Sequence, residues 1–139
     1  MRSDWPPRAR IEAESARRGQ PAFAASCAGI LGGDYSDTRL ITILGGNTAP
    51  WALDRDRGDW YRVWAARGLL WSWHDSALPA LTSALTDHAW RVREMSAKVI
   101  ARHLLGDTLP ALAPLLADPI PRVRTAATRA LTRLTQTGA

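Results

Sequence analysis

The chain carries one sequence unit that recurs every 31 residues. Asp87 and Asp118 are each followed four residues later by Arg-Val-Arg, and a small residue, a base and an aliphatic residue coincide further on. Another step of 31 residues upstream leads to Asp56 and Arg62, which match Asp87 and Arg93. A period of this length is typical of a helical pair that is repeated along the chain. Because one such pair cannot bury its apolar face alone, three adjacent units predict a stack of helical pairs.

The repeat predicts where the helices lie. The first helix of each pair is expected near residues 48–54, 76–85 and 108–116, and the second near 58–73, 88–105 and 119–135. Ala, Leu and Arg dominate the composition and β-branched residues are scarce, which also favours helix. The predicted fold is therefore all-α: a right-handed α-solenoid of about three to four helical pairs.

A length of 139 residues predicts one folded domain. Residues 1–7 contain Trp5-Pro6-Pro7 and are predicted to form a flexible N-terminal extension. Residues 8–46 are predicted to form N-terminal helices that act as a degenerate capping repeat. The three repeats are expected at about residues 47–74, 75–105 and 106–137.

The repeated motif resembles that of a known family. Asp118-Pro-Ile-Pro-Arg-Val-Arg-Thr-Ala-Ala is similar to the Asp-Xaa-Xaa-Xaa-Arg-Val-Arg-Xaa-Xaa-Ala pattern of HEAT repeats, in the short form found in phycobilisome-lyase-type HEAT proteins. The resemblance covers roughly residues 47–137 and implies the fold. It implies little about function, because the family includes scaffolds, lyase subunits and nucleic-acid binders.

The resemblance also assigns roles to the repeated charges. It implies that the repeat aspartates are structural caps of the second helices: Asp56, Asp87 and Asp118. It further implies that Arg62, Arg93 and Arg124 pair with an aspartate of an adjacent repeat. These roles explain the charged residues without any catalytic function.

Charge and cysteine content narrow the classes of function. Residues 87–139 carry eight Lys or Arg against four Asp or Glu, so most of the net charge of +5 lies in this half, which favours an anionic partner. The single cysteine excludes an internal disulfide framework and is typical of a cytoplasmic protein. No apolar run is long enough to cross a membrane.

Large and basic residues recur on one face of the second helices. Helical spacing places Trp60, Trp64 and Trp71 on one side of the first of these helices, and we call them the aromatic stripe. Arg67 lies on the same face, and at the equivalent positions one and two repeats later this face carries mainly Arg and Lys. We call these bases the basic ridge: Arg91, Lys98, Arg102, Arg122, Arg129 and Arg133. Second helices usually line the concave surface of such a stack.

This face has two interpretations. In the first, the tryptophans pack under the N-terminal helices and the ridge is simply a solvated surface. In the second, the face binds an anion that carries stackable groups. Phosphates would then contact the basic ridge, while Trp64 or Trp71 would stack on a nucleobase.

The sequence therefore predicts a binding protein and names no reaction. His74, His88 and His103 are too scattered for a metal site, and no nucleophile with its base stands out, so we expect no catalytic residues, metal or cofactor. The favoured function is a non-catalytic scaffold that binds a partner protein through its concave basic and aromatic face. The alternative is a nucleic-acid-binding module that uses the same residues. A glycosylase has less support, since the repeat aspartates are explained by capping, and a lyase is implied by the resemblance alone, with no residue that supports it specifically.

Overall fold

The computed structural model describes residues 1–136, and this part of the chain is helical, with no strand. Three helices come first: α1 (Pro7–Arg18), α2 (Gln20–Leu31) and α3 (Thr38–Gly45). Three pairs follow: α4 (Ala49–Asp54) with α5 (Gly58–Trp71), α6 (Leu78–Ala84) with α7 (Trp90–His103), and α8 (Leu109–Leu112) with α9 (Pro121–Gln136). The predicted all-α solenoid is confirmed, while its handedness stays a prediction.

The first helix of each pair begins in the same way. A single 3-10 turn leads into each of them, at Gly46–Thr48, Asp75–Ala77 and Gly106–Thr108. A proline then occupies the first turn of the helix in all three, at Pro50, Pro79 and Pro110. Proline is favoured there because the first turn of a helix leaves its N–H groups without partners, so a missing N–H costs nothing. After α8, a 3-10 segment over Ala113–Ala117 completes the third pair.

The second helices are longer and form a continuous layer. Helix α7 packs against α5 on one side and against α9 on the other. Each helix buries small and aliphatic side chains in these contacts, such as Ala65 and Leu69 on α5, and Ala97 and Ile100 on α7, all fully buried. Small residues allow the helix axes to approach closely, so the layer of second helices carries much of the core. The predicted end of the third repeat at residue 137 lies outside the described residues.

The N-terminal helices pack on the first member of this layer. Helices α1, α2 and α3 all contact α5, and α2 also reaches α6. Gly68 makes the close approach of α2 possible, because a Cβ atom there would lie 2.9 Å from the Cys27 sulfur. The fully buried carboxylate of Glu14 accepts hydrogen bonds from Arg17 and Arg18 within α1, and Arg18 also donates to Asp37 at the start of α3, which ties α1 to α3. Whether they act as a capping repeat stays a prediction.

Candidate partner-binding groove

Arginine–aspartate pairs connect successive repeats. Arg62 of α5 donates to Asp87 through Nε and Nη2, at 2.8 and 3.2 Å. Arg93 of α7 donates to Asp118 through the same two atoms, at 2.7 and 3.0 Å. Such bidentate pairs combine charge with fixed geometry. The guanidinium of Arg93 holds the pKa of the Asp118 carboxyl below its ordinary value. The pairing of adjacent repeats is thus present twice.

Asp87 and Asp118 accept hydrogen bonds in the turns just before their helices, but α7 has Ala89 at its N-cap and no side-chain cap, so the prediction that Asp87 caps α7 was wrong. Asp87 accepts from the Ala89 N–H at 2.8 Å, and Asp118 accepts from the Ile120 N–H at 2.9 Å. Each N–H belongs to the residue immediately before the helix begins, so these aspartates fix the entry of the chain into α7 and α9.

The prediction that Asp56 caps α5 was wrong. Helix α5 begins without a side-chain cap, and Asp56 is exposed with a left-handed backbone, at φ 49°. The turn uses Asp56 to end α4 instead, and the Arg57 N–H donates to the Ala52 carbonyl at 3.0 Å. The repeat position that would supply a pairing arginine from upstream is Leu31. Among residues 1–136, no arginine therefore pairs with Asp56 as Arg62 and Arg93 pair with Asp87 and Asp118.

The basic ridge borders a groove between α7 and α9. All six ridge residues are exposed. The groove has a volume of about 690 Å³, and small residues such as Ala101 and Ala126 line it. The end of α5 closes one part of it with Leu70 and Trp71. The groove is lined by five of the ridge residues: Lys98, Arg102, Arg122, Arg129 and Arg133.

One carboxylate partly neutralises the groove. Glu94 is 7% exposed and accepts two hydrogen bonds from Arg122, at 2.9 and 3.1 Å. Lys98 lies 3.9 Å from the same carboxylate. Within residues 1–136, Arg129 and Arg133 have neither an ion pair nor a ring contact. These two arginines are the members of the ridge that are most available to an anion.

The tryptophans and the ridge are interleaved along the layer. The Arg102 guanidinium lies over the Trp71 ring, 4.6 Å from its centroid, and Arg8 of α1 lies over the same ring at 4.5 Å. Arg91 lies 5.3 Å from the centroid of Trp60. Arg102 and Arg91 each occupy the position one repeat after the tryptophan that they contact. Cation–π contacts of this kind stabilise the stacking of repeats.

The second interpretation, in which Trp64 of the aromatic stripe is available for stacking, was wrong. Trp64 is 5% exposed, because α3 covers it. Gly45 at the end of α3 fits against the indole, and a Cβ atom there would lie 2.5 Å from the ring. Trp60 and Trp71 are partly exposed, but guanidinium groups lie over their rings. The stripe is therefore mainly a packing element, as the first of the two interpretations expects.

Arg67 shares the helical face of the stripe but points inward. Its Nη2 donates to the Leu44 carbonyl at 2.7 Å, and Arg10 donates to the same carbonyl at 3.1 Å. Burial and the neighbouring charge of Arg10 lower the pKa of Arg67 to about 10. Both cations satisfy carbonyls at the C-terminal end of α3, where the helix dipole favours positive charge.

The sequence reasoning overlooked two residues of this region. Trp90 lies beneath Arg91 and Arg122, at 4.3 and 5.0 Å from its centroid. Glu94 was not identified as the counterion of the groove. Trp90 directly precedes the ridge residue Arg91, which could have marked it. The Glu94–Arg122 pair spans 28 residues, and neither spacing nor helical periodicity on one helix indicates it.

Among residues 1–136, no group of three or more His, Cys, Asp or Glu side chains is placed to hold a metal ion. Across the same residues, no helix combines the length and apolar character needed to cross a membrane.

Comparison with known proteins agrees with the architecture. A family model for HEAT repeats matches residues 50–132, which is more than half of the chain and runs from the first turn of α4 into α9. No curated protein and no solved structure matches the chain. The narrower resemblance to phycobilisome-lyase-type proteins stays a prediction. The match and the stacked pairs together show that this chain belongs to the HEAT-repeat family.

Proposed function

We propose that this chain is a non-catalytic HEAT-repeat scaffold that binds an acidic segment of a partner protein in the groove between α7 and α9. HEAT repeats commonly serve as protein-interaction scaffolds, which supports a binding role. The observation that carries the proposal is the groove itself. It combines small residues with five cations and one carboxylate, so its surface attracts negative charge.

The dimensions of the groove suit a helical or extended peptide segment. Helices α7 and α9 contain 14 and 16 residues, so the groove between them runs for roughly 20 Å at 1.5 Å per residue. Ala101 and Ala126 leave space for the side chains of a partner, while Arg129 and Arg133 are free to meet its carboxylates. Long arginine side chains can also cover apolar surface with their methylene groups.

A nucleic acid is the alternative occupant. The charge of the groove would also suit phosphates, and it is the feature that favours this alternative. Binding to single strands ordinarily uses open aromatic rings on which bases stack. Trp64 is buried, and Trp71 already lies against two guanidinium groups, so the rings needed for stacking are occupied. A protein partner is therefore the better-supported proposal.

Fluorescence anisotropy tests the two occupants directly. The probes are an end-capped helical peptide with glutamates along one face, and labelled single- and double-stranded DNA, each at two salt concentrations. The groove variant is Arg129→Glu/Arg133→Glu. The control variant, Arg2→Glu/Arg55→Glu, changes the net charge equally with exposed residues outside the groove.

We expect the acidic peptide to bind and the groove variant to lose at least about tenfold in affinity, because two charges reverse sign. The control variant should lose much less, since its charges lie outside the groove. Equal losses in both variants would mean that only the net charge matters, and would contradict a groove-specific site. DNA binding that depends on the groove and exceeds peptide binding would favour the nucleic-acid alternative.

A further inference from the structure

The inter-repeat pairs use the same guanidinium atoms each time. In Arg62 and in Arg93, Nε and Nη2 hold the two carboxylate oxygens of an aspartate located 25 residues later. That aspartate lies in the turn before the second helix of the next pair. The molecule therefore shows twice how this arginine position receives an aspartate from a neighbouring repeat.

Arg124 occupies the same repeat position on α9. Its Nη1 donates to the Asp118 carbonyl at 2.6 Å, as Nη1 of Arg93 donates to the Asp87 carbonyl at 2.8 Å. This bond fixes one end of the guanidinium in both residues. Within residues 1–136, Nε and Nη2 of Arg124 have no partner, and the residue is exposed. We call Nε and Nη2 of this arginine position the fork. The fork holds a carboxylate in the two earlier repeats, and in Arg124 it is oriented in the same way but unoccupied.

The surface around Arg124 is basic and hydroxylated. A broad depression of about 710 Å³ runs along this flank of α9 and is lined by Arg124, Arg129 and Arg133, with no acidic residue among the described residues that line it. Thr128 lies at the repeat position of Ala97 on α7, which is fully buried. A hydroxyl group at this position can hydrogen-bond with a polar partner surface. The flank is therefore complementary to a polar segment that carries a carboxylate.

We propose that this flank of α9 is a second docking surface, on which Arg124 receives an aspartate from the turn that precedes a helix of a partner protein. The partner's aspartate takes the position relative to Arg124 that Asp118 takes relative to Arg93, and the helix that follows this aspartate belongs to the partner. Arg129 and Arg133 border both this flank and the groove between α7 and α9, whereas Arg124, within residues 1–136, lines only the flank, so substitution of Arg124 tests this surface separately. The carboxylate is specified by the fork, as the two internal pairs demonstrate.

The test uses the full chain and a labelled, end-capped peptide that copies residues 118–136. The four arginines of the peptide are replaced by glutamine, so that its only charge is the aspartate. A matched peptide carries Asp118→Asn. Binding of both peptides is measured by anisotropy to the wild type, to Arg124→Gln and to the control Arg55→Gln. Circular dichroism verifies that each variant is folded.

We expect the wild type and the control to bind the aspartate peptide about fivefold more tightly than the asparagine peptide, which is the upper range for an exposed ion pair. Arg124→Gln should bind both peptides equally, because the fork is gone. Equal binding of both peptides to the wild type, retained discrimination in Arg124→Gln, or no peptide binding at all would overturn the proposal. A thymidine oligonucleotide whose binding requires Arg124, when the peptides do not discriminate, would also overturn it in favour of phosphate.

Discussion

Replacing Asp118 by asparagine isolates the energy of one inter-repeat pair. Asp118 is 6% exposed and accepts two hydrogen bonds from Arg93, at 2.7 and 3.0 Å. Asparagine keeps an oxygen for the Ile120 N–H but loses the charge that Arg93 requires. Hydrogen bonds to charged groups contribute about 1.5–3 kcal/mol, so Asp118→Asn should lower the free energy of unfolding by about 2 kcal/mol. Asp118→Ala also removes the turn bond and should cost about 1 kcal/mol more.

Asp56→Asn is the matched control. The substitution is chemically identical, but Asp56 is exposed and its helix has no side-chain cap. Asparagine also tolerates a left-handed backbone, so the expected change is within about 0.5 kcal/mol. Urea unfolding followed by circular dichroism measures the free energy of unfolding of both variants. The comparison requires that the dependence of this free energy on urea concentration, the m-value, is the same for both. If Asp118→Asn proves as mild as Asp56→Asn, the pairs do not hold the repeats together, and the energetic basis for docking at Arg124 is lost as well.

Three further predictions concern acid stability, helix packing and the groove. The pKa of Glu14 is lowered in the folded protein from 4.5 to about 2, chiefly by its hydrogen bond from Arg17. The contribution of Glu14 to the free energy of unfolding is therefore complete above about pH 4.5 and is lost as the pH falls towards 2. Glu14→Gln should reduce the loss of unfolding free energy between these pH values, as measured by urea titrations at several pH values. Gly45→Ala should destabilise by about 1–3 kcal/mol through collision with Trp64, whereas Gly29→Ala, with open space around it, should be neutral or slightly stabilising in thermal unfolding. Glu94→Gln should strengthen binding of the acidic peptide severalfold, because it removes the carboxylate from the groove; unchanged affinity would place the peptide elsewhere.

The stack was predictable because its determinants repeat in the sequence. A period of 31 residues placed each helix, and the resemblance to HEAT repeats implied the pairing of Arg62 and Arg93 with an aspartate of an adjacent repeat. The prediction for Asp56 was wrong because capping of a helix depends on neighbouring residues that lie outside the repeated motif. Its turn is left-handed, and Leu31 stands where an arginine would have to be. A repeat at the edge of a stack has different neighbours from one in the middle, and the motif alone does not record them.

The candidate site was less predictable because it depends on contacts between distant segments. Helical spacing places Trp64 and Trp71 on one face, but it does not show that α3 covers Trp64 while Trp71 stays partly exposed. The counterion Glu94 reaches Arg122 across the gap between two helices. The period did predict that bases follow one another along the layer, and the cations of the groove are among them.

Mapping the acidic peptide onto the chain by nuclear magnetic resonance tests the central claim most directly. Backbone amide shifts of the uniformly labelled protein are followed during titration with the glutamate peptide. We predict saturable shifts that cluster on α7 and α9 around Lys98, Arg102 and Arg129, and that disappear in Arg129→Glu/Arg133→Glu. Shifts centred on the N-terminal helices α1–α3, or shifts of equal size in the groove variant, would contradict a partner-binding groove between α7 and α9.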